Sequence, residues 1–122
     1  MGYDLHITRA DMWYQSKLNP ILPEEWFTYL DSDPEMRLVQ IAEATTSAGE
    51  TVRYKSDGLA VWTSYSGNGK DGNFAWFDLQ HGEVVVKNPD DEIITKMRQV
   101  ARAFKARVQG DEGEFYDEAG NR

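Results

Sequence analysis

The chain has 122 residues, of which 40% are hydrophobic and 28% are charged, and it contains no cysteine. This length predicts one domain with a genuine core, and the lack of cysteine excludes disulfide frameworks, thiolate metal sites and cysteine nucleophiles. The formal net charge of −8 repels nucleic-acid phosphates and favours a basic protein partner. With only two histidines and no clustered ligand motif, we expect no bound metal and no other cofactor.

The sequence predicts no contact with a membrane. No apolar run approaches the roughly 20 residues of a membrane-spanning helix, and the amino terminus lacks the basic and apolar regions of a secretion signal. We therefore expect a cytoplasmic protein. Nucleic-acid binding is not expected either, because the basic side chains Arg98, Arg102 and Lys105 lie on one predicted helix of an otherwise acidic chain.

The first predicted element is a strand over 3–8, where apolar side chains at odd positions alternate with polar ones at even positions. A short helix is expected from Pro23 to about Asp31, because proline suits the first helical position and two glutamates follow it. Strand and turn signals then alternate up to residue 87, and His81-Gly82 is typical of a tight hairpin turn. The strands are expected over 36–44, 51–55, 59–65, 74–79 and 83–87.

A long helix over 89–106 has the clearest signals in the chain. Asn88 suits the N-cap, Pro89 the first helical position, and three acidic residues follow in the first turn. The segment 108–116 is compatible with two short strands around an acidic turn, and the acidic tail over 117–122 is expected to be frayed.

Together these elements predict a single α+β domain over 1–116. Its core would be an antiparallel meander sheet of about five or six strands, with the long helix packed on one face. The shorter N-terminal helix would lie at an edge or on the same side.

The least generic stretch is 62–77, which places five of the fifteen aromatic residues around a glycine-rich loop at 66–73. Residues 67–72 match the pattern G-x-G-x-x-G of nucleotide-binding loops. A dinucleotide site needs that loop to open a helix, whereas a strand is predicted to follow it here. A plain hairpin loop is therefore favoured over a phosphate site.

A second candidate site begins on the first strand, where Asp4 and His6 share one face. A carboxylate in that position can orient an imidazole as a general base. An alternative ligand site, or a hydrolase-type enzyme, would combine this pair with Gly67 and Gly69 of the loop. A strand histidine beside a carboxylate without catalysis is the favoured interpretation, because ion pairs often perturb histidines that have no chemical role.

The aromatic stretch also fits a binding surface. Only one face of the predicted sheet packs under the long helix, so part of the aromatic set is expected on the other face or at an edge. Aromatic side chains in an acidic surround have the composition of a protein-binding hot spot. We therefore predict a domain without enzymatic activity that binds a protein partner. The predicted partner-binding residues are Trp62, Tyr65, Asn68 and Asp71, with Asp111 and Glu112 as steering charges.

Three segments, the opening MGYDLHITR, the central 58–67 and the later 85–90, resemble a family of small uncharacterised bacterial proteins. The resemblance spans nearly the whole chain and implies neither an activity nor a site residue. In character, an acidic single domain without cysteine is similar to many immunity proteins that neutralise bacterial toxins. The most concrete prediction is a cytoplasmic immunity protein that masks a basic toxin domain, while a small-ligand-binding protein or enzyme remains the alternative.

Overall fold

The computed structural model of the chain describes residues 3–70 and 74–116, so the tail over 117–122 lies outside the described residues. Within these ranges the chain forms an α+β fold. Its elements in chain order are β1 (Asp4–Thr8), a 3-10 helix (Trp13–Leu18), α1 (Pro23–Ser32), β2 (Met36–Leu38), β3 (Ile41–Thr45), β4 (Thr51–Lys55), β5 (Leu59–Trp62), β6 (Trp76–Gln80), β7 (Glu83–Lys87), α2 (Asp91–Ala103) and β8 (Arg107–Gly110).

Six of the strands form one antiparallel sheet in the order β2-β5-β6-β7-β1-β8, as the sequence predicted for the class of fold. The strands β5, β6 and β7 follow one another as a meander. Strand β1 then lies between β7 and β8, with Leu5 paired to Val86 on one side and Gly110 on the other. The first strand of the chain is therefore an interior strand rather than an edge.

The turn between β6 and β7 has the predicted chemistry. His81 has φ +51° and Gly82 has φ +86°, so both central residues of this two-residue turn are left-handed. That conformation matches the right-handed twist of the flanking strands, which is why it is favoured in tight hairpins.

The strand predicted over 36–44 is wrong, because the chain breaks there into β2 and β3. Gln40 has φ +66°, a left-handed conformation that no extended strand contains. The backbone N–H groups of Val39 and Gln40 both donate to the carbonyl of Leu59 at 3.0 Å. Strand β2 therefore stays at the edge of the large sheet, while β3 leaves it and pairs with β4 as a separate two-stranded hairpin.

Helix α2 begins two residues later than the sequence predicts. The carboxylate of Asp90 accepts the backbone N–H of Ile93 at 2.9 Å, so Asp90 is the N-cap. Asn88, the predicted cap, instead has φ +49° and turns the chain out of β7. Asparagine tolerates this left-handed conformation better than most residues.

The core lies between α2 and one face of the large sheet. Helix α2 contributes buried side chains at helical spacing, and α1 packs beside its end, with the ring centroids of Trp26 and Phe104 5.9 Å apart. The buried apolar residues that meet here include Leu5, Ile7, Phe77, Val84, Val86, Ile93, Met97, Val100 and Val108.

A buried ion cluster ties α2 to the segment that follows α1. The side chain of Lys96 is only 1% exposed, and its Nζ lies 2.8 Å from Asp33 Oδ2 and 3.0 Å from Glu35 Oε1. Tyr29 donates its hydroxyl to the same Asp33 oxygen at 2.5 Å. These bonds offset the loss of water around the lysine and Asp33.

Replacing Lys96 with methionine is expected to destabilise the fold by about 3 kcal/mol, because it leaves the Asp33 carboxylate buried without a cation. The measurement is the free energy of unfolding in urea. Lys17→Met, at an exposed position, is the matched control and should change stability by less than about 0.5 kcal/mol. Equal losses in the two variants would show that the Asp33 carboxylate does not depend on Lys96.

Candidate functional site

The sheet face opposite α2 carries the polar side chains of the fold. The register places His6 of β1 opposite Val85 of β7, and Val85 opposite Asp78 of β6. Directly opposite residues point to the same face, so these three side chains form one line across the sheet. The 3-10 helix covers the His6 end of this face, and the β3–β4 hairpin reaches over the Asp78 end.

At the first end, His6 is the centre of a buried cluster with Glu83, Asp111 and Trp13, called here the His6 cluster. Its Nδ1 lies 2.5 Å from Glu83 Oε1 and its Nε2 lies 2.7 Å from Asp111 Oδ1. The imidazole stacks on the indole of Trp13 with the ring centroids 4.2 Å apart. Because each ring nitrogen faces a carboxylate oxygen, the arrangement suits the doubly protonated, cationic ring.

The electrostatics of the His6 cluster agree with that geometry. Burial alone would lower the pKa of His6, but the hydrogen bonds to Glu83 and Asp111 outweigh it and raise the pKa above 6.5. Burial would likewise raise the pKa of Asp111, yet its bond to His6 lowers it. The favoured state is therefore an imidazolium with a carboxylate oxygen at each ring nitrogen.

Within the described ranges, no hydrogen bond or ion pair joins the side chains of Asp4 and His6, the pair that the sequence predicted. The carboxylate of Asp4 lies 3.5 Å from Lys87 Nζ, and the backbone N–H of Asp4 donates to Asp111 Oδ2 at 3.1 Å. The histidine instead uses both nitrogens on Glu83 and Asp111. A general base needs a free nitrogen lone pair, which this arrangement does not leave.

The described part of the glycine-rich loop, 66–70, lies against the start of α2 rather than against His6. Tyr65 donates its hydroxyl to Asp90 Oδ2 at 2.6 Å, and Ser66 donates its hydroxyl to Glu92 Oε1 at 2.6 Å. Gly67 packs so closely on the Tyr65 ring that a Cβ there would lie 2.9 Å from it, and Gly69 has φ +78°. Across the described ranges, no hydrogen bond or ion pair joins this loop to His6.

The residues predicted to bind a partner are dispersed. Trp62 is 8% exposed and belongs to the core, where its Nε1 donates to Glu35 Oε1 at 3.3 Å. Asn68 lies in the glycine-rich loop, and its Oδ1 is buried. Asp71 lies outside the described residues. Tyr65 lines a cleft described below. The two predicted steering charges lie after β8, where Asp111 joins the His6 cluster and Glu112 is exposed.

A cleft of about 420 Å³ opens between the β3–β4 hairpin and the polar face of the large sheet. Four aromatic rings contribute to its walls: Tyr54, Tyr65, Phe74 and Trp76. The last three come from the stretch 62–77 that the sequence singled out, and the ring centroids of Phe74 and Trp76 lie 5.3 Å apart. This volume falls within the range of roughly 300 to 1,000 Å³ that is typical of ligand pockets.

Asp78 lies in the lining of this cleft and is only 6% exposed. Its Oδ1 accepts the hydroxyl of Ser56 at 2.6 Å, and its Oδ2 accepts the hydroxyl of Tyr54 at 2.5 Å and the amide of Gln80 at 2.6 Å. The hydrogen bond to Asp78, together with burial, raises the pKa of Tyr54. Through these contacts the carboxylate also fastens the end of the hairpin to the sheet.

The β3–β4 hairpin has one apolar face. Its register pairs Ala42 with Tyr54 and Ala44 with Val52, so these four side chains point the same way. Ala42 and Tyr54 line the cleft, and Val52 and Tyr54 are 54% and 46% exposed. The apolar residues at 52 and 54 are the sequence signal for this face. A single strand over 36–44 leaves no separate β3 to pair with β4, so that prediction does not reveal the hairpin.

Comparison of the chain with protein-family models, with curated protein sequences and with solved structures gives no match. Within residues 3–70 and 74–116, no helix is both long and apolar enough to cross a membrane. The same ranges contain no group of three or more histidine and carboxylate side chains arranged to hold a metal ion. What the site does must therefore be argued from its geometry.

The His6 cluster gives stability a pH dependence of defined sign. Because the pKa of His6 is higher in the folded chain, its contribution is complete below about pH 6.5 and is lost as the pH rises through the folded value. We therefore expect the free energy of unfolding in urea to fall as the pH rises above about 6.5. His6→Gln should make this fall shallower.

The matched control for this experiment is His81→Gln, because His81 is exposed in the turn between β6 and β7. It should retain the wild-type slope of stability against pH. If the His81 variant, and not the His6 variant, flattened the slope, the assignment of the pH dependence to the His6 cluster would be wrong.

Proposed function

We propose that this chain is a protein-binding domain without enzymatic activity, and that it binds its partner through the β3–β4 hairpin and the adjoining cleft. The observation that carries the proposal is the uncovered apolar face of the hairpin. A two-stranded hairpin alone is at best marginally stable in water, and a contiguous exposed apolar surface is typical of an interaction site. A partner that covers Ala44, Val52 and Tyr54 would supply the missing packing.

Neighbouring residues extend this surface beyond the hairpin. Leu38 at the end of β2, Ile41 at the start of β3 and Phe74 before β6 are exposed apolar side chains that line a neighbouring groove. This groove shares Phe74 and Trp76 with the cleft, and these two rings offer rigid apolar contact area at low entropic cost.

The charge of the chain indicates the kind of partner. A net charge of −8 would speed the encounter with a basic protein through long-range attraction. Apolar contacts at the cleft would then slow dissociation. The most concrete form of the proposal is a cytoplasmic bacterial immunity protein that masks a basic toxin domain.

The state of His6 favours binding over catalysis, because both of its nitrogens face carboxylates and the favoured imidazolium has no free lone pair to accept a proton. The second candidate function is small-ligand binding without reaction chemistry. The volume and aromatic lining of the cleft favour it, and the same cleft residues would be used.

The proposal predicts that Val52→Lys weakens partner binding at least about tenfold, because it places a charge in the apolar contact and repels a basic protein. The tagged chain would be used to recover its partner from the host, and the partner would then be titrated against each variant by calorimetry. A candidate toxin would also be tested by co-expression, where Val52→Lys should reduce protection of growth.

Tyr14→Lys is the matched control, because Tyr14 is a 64% exposed residue of the 3-10 helix and the substitution changes the charge equally. It should leave the dissociation constant within about twofold of wild type. A partner that loses affinity for the Tyr14 variant and keeps it for the Val52 variant would place the interface elsewhere and refute the proposal.

A further inference from the structure

We infer that the cleft receives an arginine side chain of the partner, with the guanidinium against Asp78 and between the aromatic walls. This inference rests on the proposed protein-binding function and specifies its chemistry. The inference depends on one buried carboxylate, Asp78, which forms no ion pair among the described residues.

Three carboxylates are buried among the described residues, and two of them have a cation beside them. Asp33 lies 2.8 Å from Lys96 Nζ, and Glu83 lies 2.5 Å from His6 Nδ1. The third, Asp78, forms no ion pair within the described ranges. Because an unpaired buried charge is costly, proteins rarely keep one without a role.

Asp78 also retains the capacity to accept a further donor. A carboxylate accepts about four hydrogen bonds, and Asp78 receives three, two on Oδ2 and one on Oδ1. One acceptor position therefore remains on Oδ1, and Asp78 itself lies in the lining of the cleft. A cation placed there would supply the charge that Lys96 supplies to Asp33.

The aromatic walls favour a guanidinium over an ammonium group. Phe74 and Trp76 present neighbouring faces, and Tyr54 and Tyr65 complete the lining. A guanidinium is planar, stacks on aromatic rings and gives up its hydration more readily than an ammonium ion. Lys87 also lines the cleft, but its side chain is 81% exposed and directed at Asp4. It therefore leaves the Asp78 carboxylate uncovered.

The size of the cleft agrees with a protein-borne side chain. Its volume of about 420 Å³ exceeds what a single arginine fills, so residues flanking that arginine would enter with it. The adjoining hairpin face, with Val52 and Tyr54, would contact those flanking residues.

The test titrates N-acetyl-arginine methylamide into the full ¹⁵N-labelled chain and follows the amide, indole and side-chain amide signals by NMR. The corresponding citrulline compound is the control, because it has nearly the same shape and no charge. We expect the arginine compound to bind in the millimolar range and to shift signals of Trp76, Asp78 and Gln80. Citrulline should shift them little, and the indole signal of Trp13 should stay unchanged with both.

Asp78→Asn should weaken arginine binding at least about fivefold, because it removes the charge, while its amide oxygen can still accept from Tyr54 and its amide N–H can donate to the Ser56 hydroxyl. A second variant, Phe74→Leu, changes an exposed residue, so it should fold normally, and it should weaken binding about twofold to fivefold by removing one aromatic face. Tyr14→Ala should bind arginine as wild type does.

Equal shifts with arginine and citrulline, no shift at about 50 mM arginine, or undiminished binding in both Asp78→Asn and Phe74→Leu would overturn the inference. These results are distinguishable from failure of the proposed function. If Val52→Lys loses the protein partner while Asp78→Asn keeps it, the binding surface stands and the arginine contact falls. If neither substitution affects the partner, the proposed surface itself is wrong.

Discussion

The arrangement of the polar sheet face depends on the His6 imidazolium. Its bonds to Glu83 on β7 and to Asp111 after β8 hold together the two strands that flank β1. The stacked ring of Trp13 brings the 3-10 helix over the same place. One end of the polar face is closed as a result, because the buried imidazole and the two carboxylates satisfy one another there.

The other end of the same face lacks this closure. Asp78 lies two strands from His6 in the same line of side chains, but hydroxyl and amide groups satisfy it instead of a cation. The hairpin above it is only partly packed. At the His6 end of this sheet face, the imidazole and its two carboxylates satisfy one another. The Asp78 end combines a buried charge, aromatic walls and an open cleft. This contrast, rather than any sequence motif, is the basis of the proposed binding surface.

Local sequence signals predicted much of the architecture and little of the site. The α+β class, the antiparallel sheet, the turn at His81 and the apolar face of α2 all follow from periodicity and turn chemistry, which act over a few residues. The break at Gln40 did not, because its left-handed backbone is stabilised by bonds to Leu59, nineteen positions further along the chain. Because one strand was predicted over 36–44, the sequence did not predict the β3–β4 hairpin that forms the outer wall of the cleft.

By itself, the sequence determined an acidic, cysteine-free chain whose strands and helices have well-marked patterns. It also marked 62–77 as unusual. Only the tertiary structure decided that Trp62 of this stretch belongs to the core while Phe74 and Trp76 line a cleft. It alone gave His6 its two carboxylates and left Asp78 without a cation among the described residues. The physical reason is that pairing of buried charges joins residues far apart in the chain, so their spacing in the sequence carries no record of it.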